Sequence, residues 1–203
     1  MRAIALNCTL KASDKVSSTE RLLLQVLEAM ARYEVTAELV RVADLDIKPG
    51  VTSDEGPGDA GPDLRRRILA ADILIVGTPI WLGQPSSVCK RVLERMDAFL
   101  SETDEAGRMV SFGKVAAVAV VGNEDGAHHV CAELYQTLND VGFSIAATAG
   151  TYWVGEAIQG VDYKDLEKTP EQVAKATKML ARNTVNLAGL LRTAEYPGAS
   201  SNG

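Results

Sequence analysis

Excess basic charge, cysteine pairs and long apolar runs are all missing from this 203-residue chain. Lys and Arg number 21 against 27 Asp and Glu, a formal net charge of −6, so the cationic surplus on which electrostatic nucleic-acid binding rests is absent. Cysteine occurs three times, at Cys8, Cys89 and Cys131, with no CxxC spacing. So few and so scattered, these thiols exclude a disulfide framework or zinc ribbon and fit a reducing, cytoplasmic setting. The longest apolar run, Val115–Gly122, is strand-sized and far short of the roughly 18 residues a membrane span needs, so no membrane insertion is expected. No charged leader with a cleavage site precedes the first apolar run at Ile4 to Leu6, and no secretion signal is expected. The two histidines, His128 and His129, are adjacent, and neighbours on a helix point about 100° apart, which disfavours a shared metal. GxSxG and GxxxxGK[ST] do not occur, which removes the α/β-hydrolase elbow and the P-loop.

What is present is an ordinary globular balance, 46% hydrophobic and 24% charged, enough for one sizeable core. Strand-like runs at Arg2 to Asn7, Thr36 to Val42, Asp72 to Gly77, Lys114 to Val121 and Phe143 to Ala149 alternate with helical patterns. The helices are expected at Ser18 to Tyr33, Asp63 to Ala71, Ser86 to Leu100, Ala127 to Val141 and Pro170 to Leu191, the last capped by Thr169 with Pro170 in its first turn. Such alternation predicts a parallel sheet, and its near-continuous apolar strands predict helices on both faces. Lys48 to Pro62, dense in Gly, Pro and Asp, reads as a mobile surface loop, and Ala194 to Gly203 as a frayed, disordered tail after a domain spanning residues 1–193.

Gly56, Gly58 and Gly61 spell GxGxxG, but no strand leads into them, so a nucleotide role is not expected there. In an open parallel sheet the ligand crevice lies beyond the carboxyl ends of the strands. Three segments stand at such ends. The first, residues 8–19, holds Thr9, Ser13, Ser17, Ser18 and Thr19 with Lys11 and Lys15 before a helix start, the chemistry of a phosphate cradle. Ser17 can equally cap the helix, with Glu20 closing a capping box, and neither role excludes the other. The second, Thr78, Pro79, Ile80, Trp81, Leu82 and Gly83, sets an indole on a stiff rim suited to a planar ring or an interface, with Pro85 opening the next helix. The third, Gly122, Asn123, Glu124, Asp125 and Gly126, combines close backbone approach with polar groups for the edge of a heteroaromatic ring, or else is a solvated turn.

The segment GTPIWLGQPSSVCKRVLERMD and the order of elements along residues 2 to about 190 resemble the NAD(P)H-dependent FMN reductase and quinone reductase branch of the flavodoxin-like superfamily. The resemblance implies a three-layer α/β sandwich with a five-stranded parallel sheet in order 2-1-3-4-5. It further implies bound FMN, NADPH or NADH as co-substrate, and a quinone, a flavin or a similar small acceptor, the flavin itself carrying the chemistry. Thr9, Lys11, Ser18 and Thr19 stand where the family binds the phosphate, Pro79 to Gly83 where it lines the ring, and Gly122 to Gly126 at the pyrimidine edge. Trp81 stands where the family often has Tyr, and GNEDGA where its loop is more glycine-rich. A homodimer with the flavin near its interface is also implied. The alternative within the same fold is a flavodoxin-type electron carrier that never turns over a nicotinamide.

Overall fold

Apolar continuity and the two-residue strand period together decide how the chain is layered. In the computed structural model, which describes residues 1–156 and 160–198, β5 (Val115–Gly122) is buried at every position. It lies between β3 (Ile73–Trp81) and β6 (Ser144–Val154), while β1 (Arg2–Asn7) lies between β3 and the edge strand β2 (Thr36–Arg41). These five strands pair in parallel, and the two-residue β4 (Gln84–Pro85) turns back antiparallel on the end of β3. With β4 set aside, the order is the expected 2-1-3-4-5.

Alternate residues of each strand feed opposite faces. Ile4, Leu6, Leu74, Val76, Ala116 and Val118 pack with α2 (Gly61–Leu69), α3 (Ser87–Arg95) and α4 (Ala127–Asp140). Ala3, Ala5, Ile73, Ile75, Ala117 and Ala119 pack with α1 (Ser18–Ala31) and α5 (Glu171–Leu191). The small residues on the second face let α1 lie close. A Cβ on Gly77 would fall 2.6 Å from Leu23 Cδ1 of α1.

Several boundaries depart from the sequence expectation. The third strand continues through Thr78 to Trp81, because Thr78 and Pro79 stay in register with Val120 and Val121. Pro85 consequently belongs to β4 rather than to a helix start, and Ser86 caps α3 by accepting from Cys89 N at 3.1 Å. The expected third helix ends as α at Arg95 and tightens into a 3₁₀ stretch over Met96–Ser101. Helix α5 begins at Glu171, with Pro170 outside it, and the expected cap Thr169 instead accepts from Gln25 Nε2 at 2.8 Å. The last strand runs on to Val154, past the expected Ala149.

The stretch read as a mobile loop is clamped by one buried ion pair. Asp59, its side chain fully buried, meets Arg95 of α3 at 2.7 Å and also accepts backbone N–H groups from Lys48, Glu55 and Gly61. A Cβ on Gly61 would fall 2.6 Å from the Arg95 guanidinium, so this glycine makes room for an arginine and not for a nucleotide. In the segment expected to fray, Tyr196 is engaged: it packs on Phe112 with centroids 5.3 Å apart, and its hydroxyl lies 2.8 Å from Ser144 Oγ. Residues 199–203 lie outside the described residues.

Candidate active site

The carboxyl ends of β1, β3, β5 and β6 meet at an open cleft of about 210 Å³. Of the residues singled out from sequence, Thr9, Lys11, Ser17, Ser18, Thr19, Pro79, Ile80, Trp81, Gly122, Asn123 and Glu124 line it together. Ser13, Lys15, Thr78, Leu82, Gly83, Asp125 and Gly126 do not. A larger cavity of about 410 Å³ is lined by Asp72, Gly113 and Lys114 at the opposite, amino-terminal ends of the strands, and none of the three loops reaches it.

One end of the cleft offers hydrogen-bond donors. Ser17 caps α1 by accepting from Glu20 N at 3.2 Å. The capping box stays open on its other side, because the Glu20 carboxylate pairs with Arg41 at 2.8 Å. A hydroxyl that accepts one bond keeps its own O–H to give. Ser17 can therefore cap the helix and still donate into the cleft, as can Ser18, whose Oγ accepts from Lys164 N at 3.2 Å. As the first residues of α1, Ser18 and Thr19 carry N–H groups with no acceptor inside the helix. Beneath them, at the end of β1, Asn7 accepts from Thr9 N at 3.2 Å, while its buried Nδ2 has no partner among the described residues.

Aromatic side chains complete the lining. Trp81, 54% exposed, rises at the tip of the β3–β4 hairpin. Trp153 and Tyr163, with ring centroids 5.4 Å apart, also line the cleft, and Tyr163 lies against α1, its carbonyl accepting from Arg21 Nη1 at 2.9 Å. Tyr163 is held by donating to Gln25 Oε1 at 2.6 Å, and burial holds its phenol above the ordinary tyrosine range. Asp162 completes this side, 3.5 Å from Asn123 Nδ2. Sequence reasoning missed Trp153, Asp162 and Tyr163. Placing the end of the last strand at Val154 would have found them by the same carboxyl-end rule.

Four of the residues outside the cleft, Thr78, Leu82, Gly83 and Gly126, shape its surroundings. Thr78 is fully buried and accepts from Ser86 N at 3.1 Å. Leu82 and Gly83 form the two-residue turn between β3 and β4 with φ of 52° and 73°, the left-handed pair that a type I′ hairpin requires. Gly126 has φ 105°, and a Cβ there would lie 3.0 Å from Gly83 Cα, so glycine is what allows the hairpin and the third loop to touch. Leu82, 92% exposed, sits in a conformation that suits Asn or Gly. Leu82→Asn should therefore raise stability by about 0.5–1 kcal/mol, read as a shift of the urea midpoint; a loss would mean that the leucine makes a contact compensating its strain.

The two histidines diverge as expected: His128 lies 2.9 Å from the Tyr152 hydroxyl and His129 3.0 Å from Gln84. Among the described residues no group of three His, Cys, Asp or Glu could hold a metal ion, and no helix is long and apolar enough to cross a membrane.

Hydroxyls, helix N–H groups and an ammonium gathered with aromatic side chains in one cleft fit a phosphorylated ring compound, and FMN has that form. The fold and cleft define a flavodoxin-like flavoprotein. Over residues 1–159 the chain matches the NADPH-dependent FMN reductase family. It belongs to that family, whose members are oxidoreductases that bind FMN and use NADPH.

Among curated proteins it is 30% identical to the 8-demethyl-8-aminoriboflavin-5'-phosphate synthase of Streptomyces davaonensis, over 97% of this chain and 80% of that one. It is 35% identical to a protein of Mycobacterium bovis described as the divalent metal cation transporter MntH, over 98% of this chain and only 30% of the relative's length. Among solved structures, RosB with bound 8-demethyl-8-formylriboflavin-5'-phosphate superposes with a TM-score of 0.87 at 30% identity, covering 97% of this chain and 82% of that one. An apo NADH:FMN oxidoreductase, EMOB, superposes at 0.62 with 19% identity over 98% and 92% of the two chains, a likeness of fold alone.

Proposed function

We propose that the cleft holds FMN with its phosphate against Thr9, Lys11, Ser17, Ser18 and Thr19 and its ring near the Pro79–Trp81 and Gly122–Glu124 segments, with Trp153 and Tyr163 completing the lining. On this reading the chain passes reducing equivalents from NADPH or NADH to a quinone, a second flavin or a similar small acceptor. FMN, when bound, supplies the redox chemistry. The protein's part would be to hold the phosphate with the residues around the start of α1 and to cover the ring with Trp81, which stands at the rim of the cleft. No side chain has to act as an acid or base. The observation that carries the reading is the meeting of phosphate-type donors and aromatic walls in one cleft at the strand ends.

The test is steady-state NADPH oxidation by the purified yellow protein with menadione or free FMN as acceptor. Turnover supports the reductase. A flavin-loaded protein that oxidises no nicotinamide supports the carrier. A second reading comes from the synthase relative: 30% identity over 97% of this chain suits a protein that modifies a flavin phosphate as its substrate. Mass analysis of the flavin recovered after incubation separates the two, because a reductase returns FMN unchanged.

Assembly belongs to the same proposal. Trp81 and Leu82 place apolar surface at the rim of the cleft, and a twofold contact there would shield the ring from water. Trp81→Ala should then lower both FMN retention and dimer stability in sedimentation equilibrium. A wild-type monomer at every concentration would leave each chain with a pocket of its own.

A further inference from the structure

Arg41, the last residue of β2, is buried, with its side chain 6% exposed, and it does not line the cleft. Its Nη1 lies 2.9, 2.8 and 3.3 Å from the carbonyl oxygens of Lys11, Ala12 and Lys15, and its Nη2 meets the Glu20 carboxylate at 2.8 Å. In a trans peptide the C=O and the following N–H point in opposite directions. Carbonyls drawn to Arg41 therefore turn the N–H groups of Ala12, Ser13 and Val16 away from it, and that of Ser13 is taken by Asp44 at 2.9 Å. Glu20 lies in the first turn of α1. An unpaired carboxylate there would repel a phosphate docked on the helix N-terminus.

We propose that Arg41 is the positioning residue of the phosphate end of the cleft, a role that rests on the reading of this cleft as an FMN site. It cancels the charge of Glu20 and draws three carbonyl oxygens out of the field of the incoming phosphate. The loop is left to present hydroxyl, N–H and ammonium groups. Lysine cannot replace it, because one ammonium on a flexible stem does not span three carbonyls and a carboxylate as a planar guanidinium does.

The test compares FMN with riboflavin, the same ring without the phosphate, by equilibrium dialysis against the full chain. Arg41→Lys is expected to raise the Kd for FMN about tenfold while that for riboflavin stays within about twofold. A merely structural role would weaken both alike, and that result, or an unchanged preference for FMN, overturns the proposal. Glu20→Gln keeps an acceptor for Arg41 but removes the charge that opposes it, and it reports independently should Arg41→Lys not fold. It is expected to increase the preference for FMN over riboflavin about two- to fivefold, and an unchanged or lower preference overturns the proposal. Equal binding of the two flavins by the wild-type chain would sink the FMN reading itself and this proposal with it, whereas a wild-type preference that survives in Arg41→Lys removes only the role of Arg41.

Discussion

Asp59→Ala should lose about 3–5 kcal/mol of stability in urea denaturation, the cost of leaving the buried Arg95 guanidinium without its partner. The same carboxylate accepts the backbone N–H groups of Lys48, Glu55 and Gly61, and without it Arg95 keeps only the carbonyl oxygens of Thr52 and Lys48 in the loop over residues 48–62. Burial by itself would raise the pKa of Asp59, but the N–H groups of Glu55 and Gly61, the Arg95 guanidinium and the N–H of Lys48 together hold it well below the usual carboxylate range. Because the folded value is depressed, the pair's stabilisation is fully present above the unfolded value near 4 and is lost as pH falls from there through the folded value. Asp59→Asn should show a shallower fall in stability between about pH 5 and 3 than the wild type. An identical acid slope in the two proteins would mean that the carboxylate is not what acid attacks.

Lys11→Ala should weaken FMN about tenfold to a hundredfold at low salt, as expected for a charge-assisted contact worth about 1.5–3 kcal/mol. The loss should be larger at pH 8 than at pH 5, because the phosphate approaches two charges above its second pKa near 6. Lys11 is exposed, so salt should shrink the effect. Riboflavin binding should not change. An FMN affinity indifferent to Lys11 would assign the phosphate to the hydroxyls and the N–H groups of α1 alone.

The sheet was legible because burial on both faces leaves continuous apolar runs such as VAAVAVV, and the site because its loops had to follow those runs. The cap at Ser17 was legible too, being a local contact over three residues. What escaped was long-range. Arg41 and Arg95 reach partners some 20 to 40 positions away in sequence, and nothing in their immediate neighbours marks an arginine that will be buried. The extension of β3 escaped because Thr78 and Pro79 read as turn residues, although a neighbouring strand holds them in register. Trp153 escaped for a different reason, an interruption of the strand period just before it.

That interruption lies in β6, the edge strand beyond β5. Ala116 pairs with Ile145 and Val118 with Gly150, so two steps along β5 match five along β6. The surplus residues bow outward with Thr148 at φ 57°, pinned from α5 by Asn183, which donates to Ala147 O at 2.8 Å and lies 2.9 Å from Thr148 Oγ1. A straight edge offers a foreign strand an even row of unpaired N–H and C=O groups on which to add. A bowed edge breaks that row midway and twists what remains out of line. The distortion that hid Trp153 from the sequence thus also makes this edge a poor template for ribbons growing sheet upon sheet.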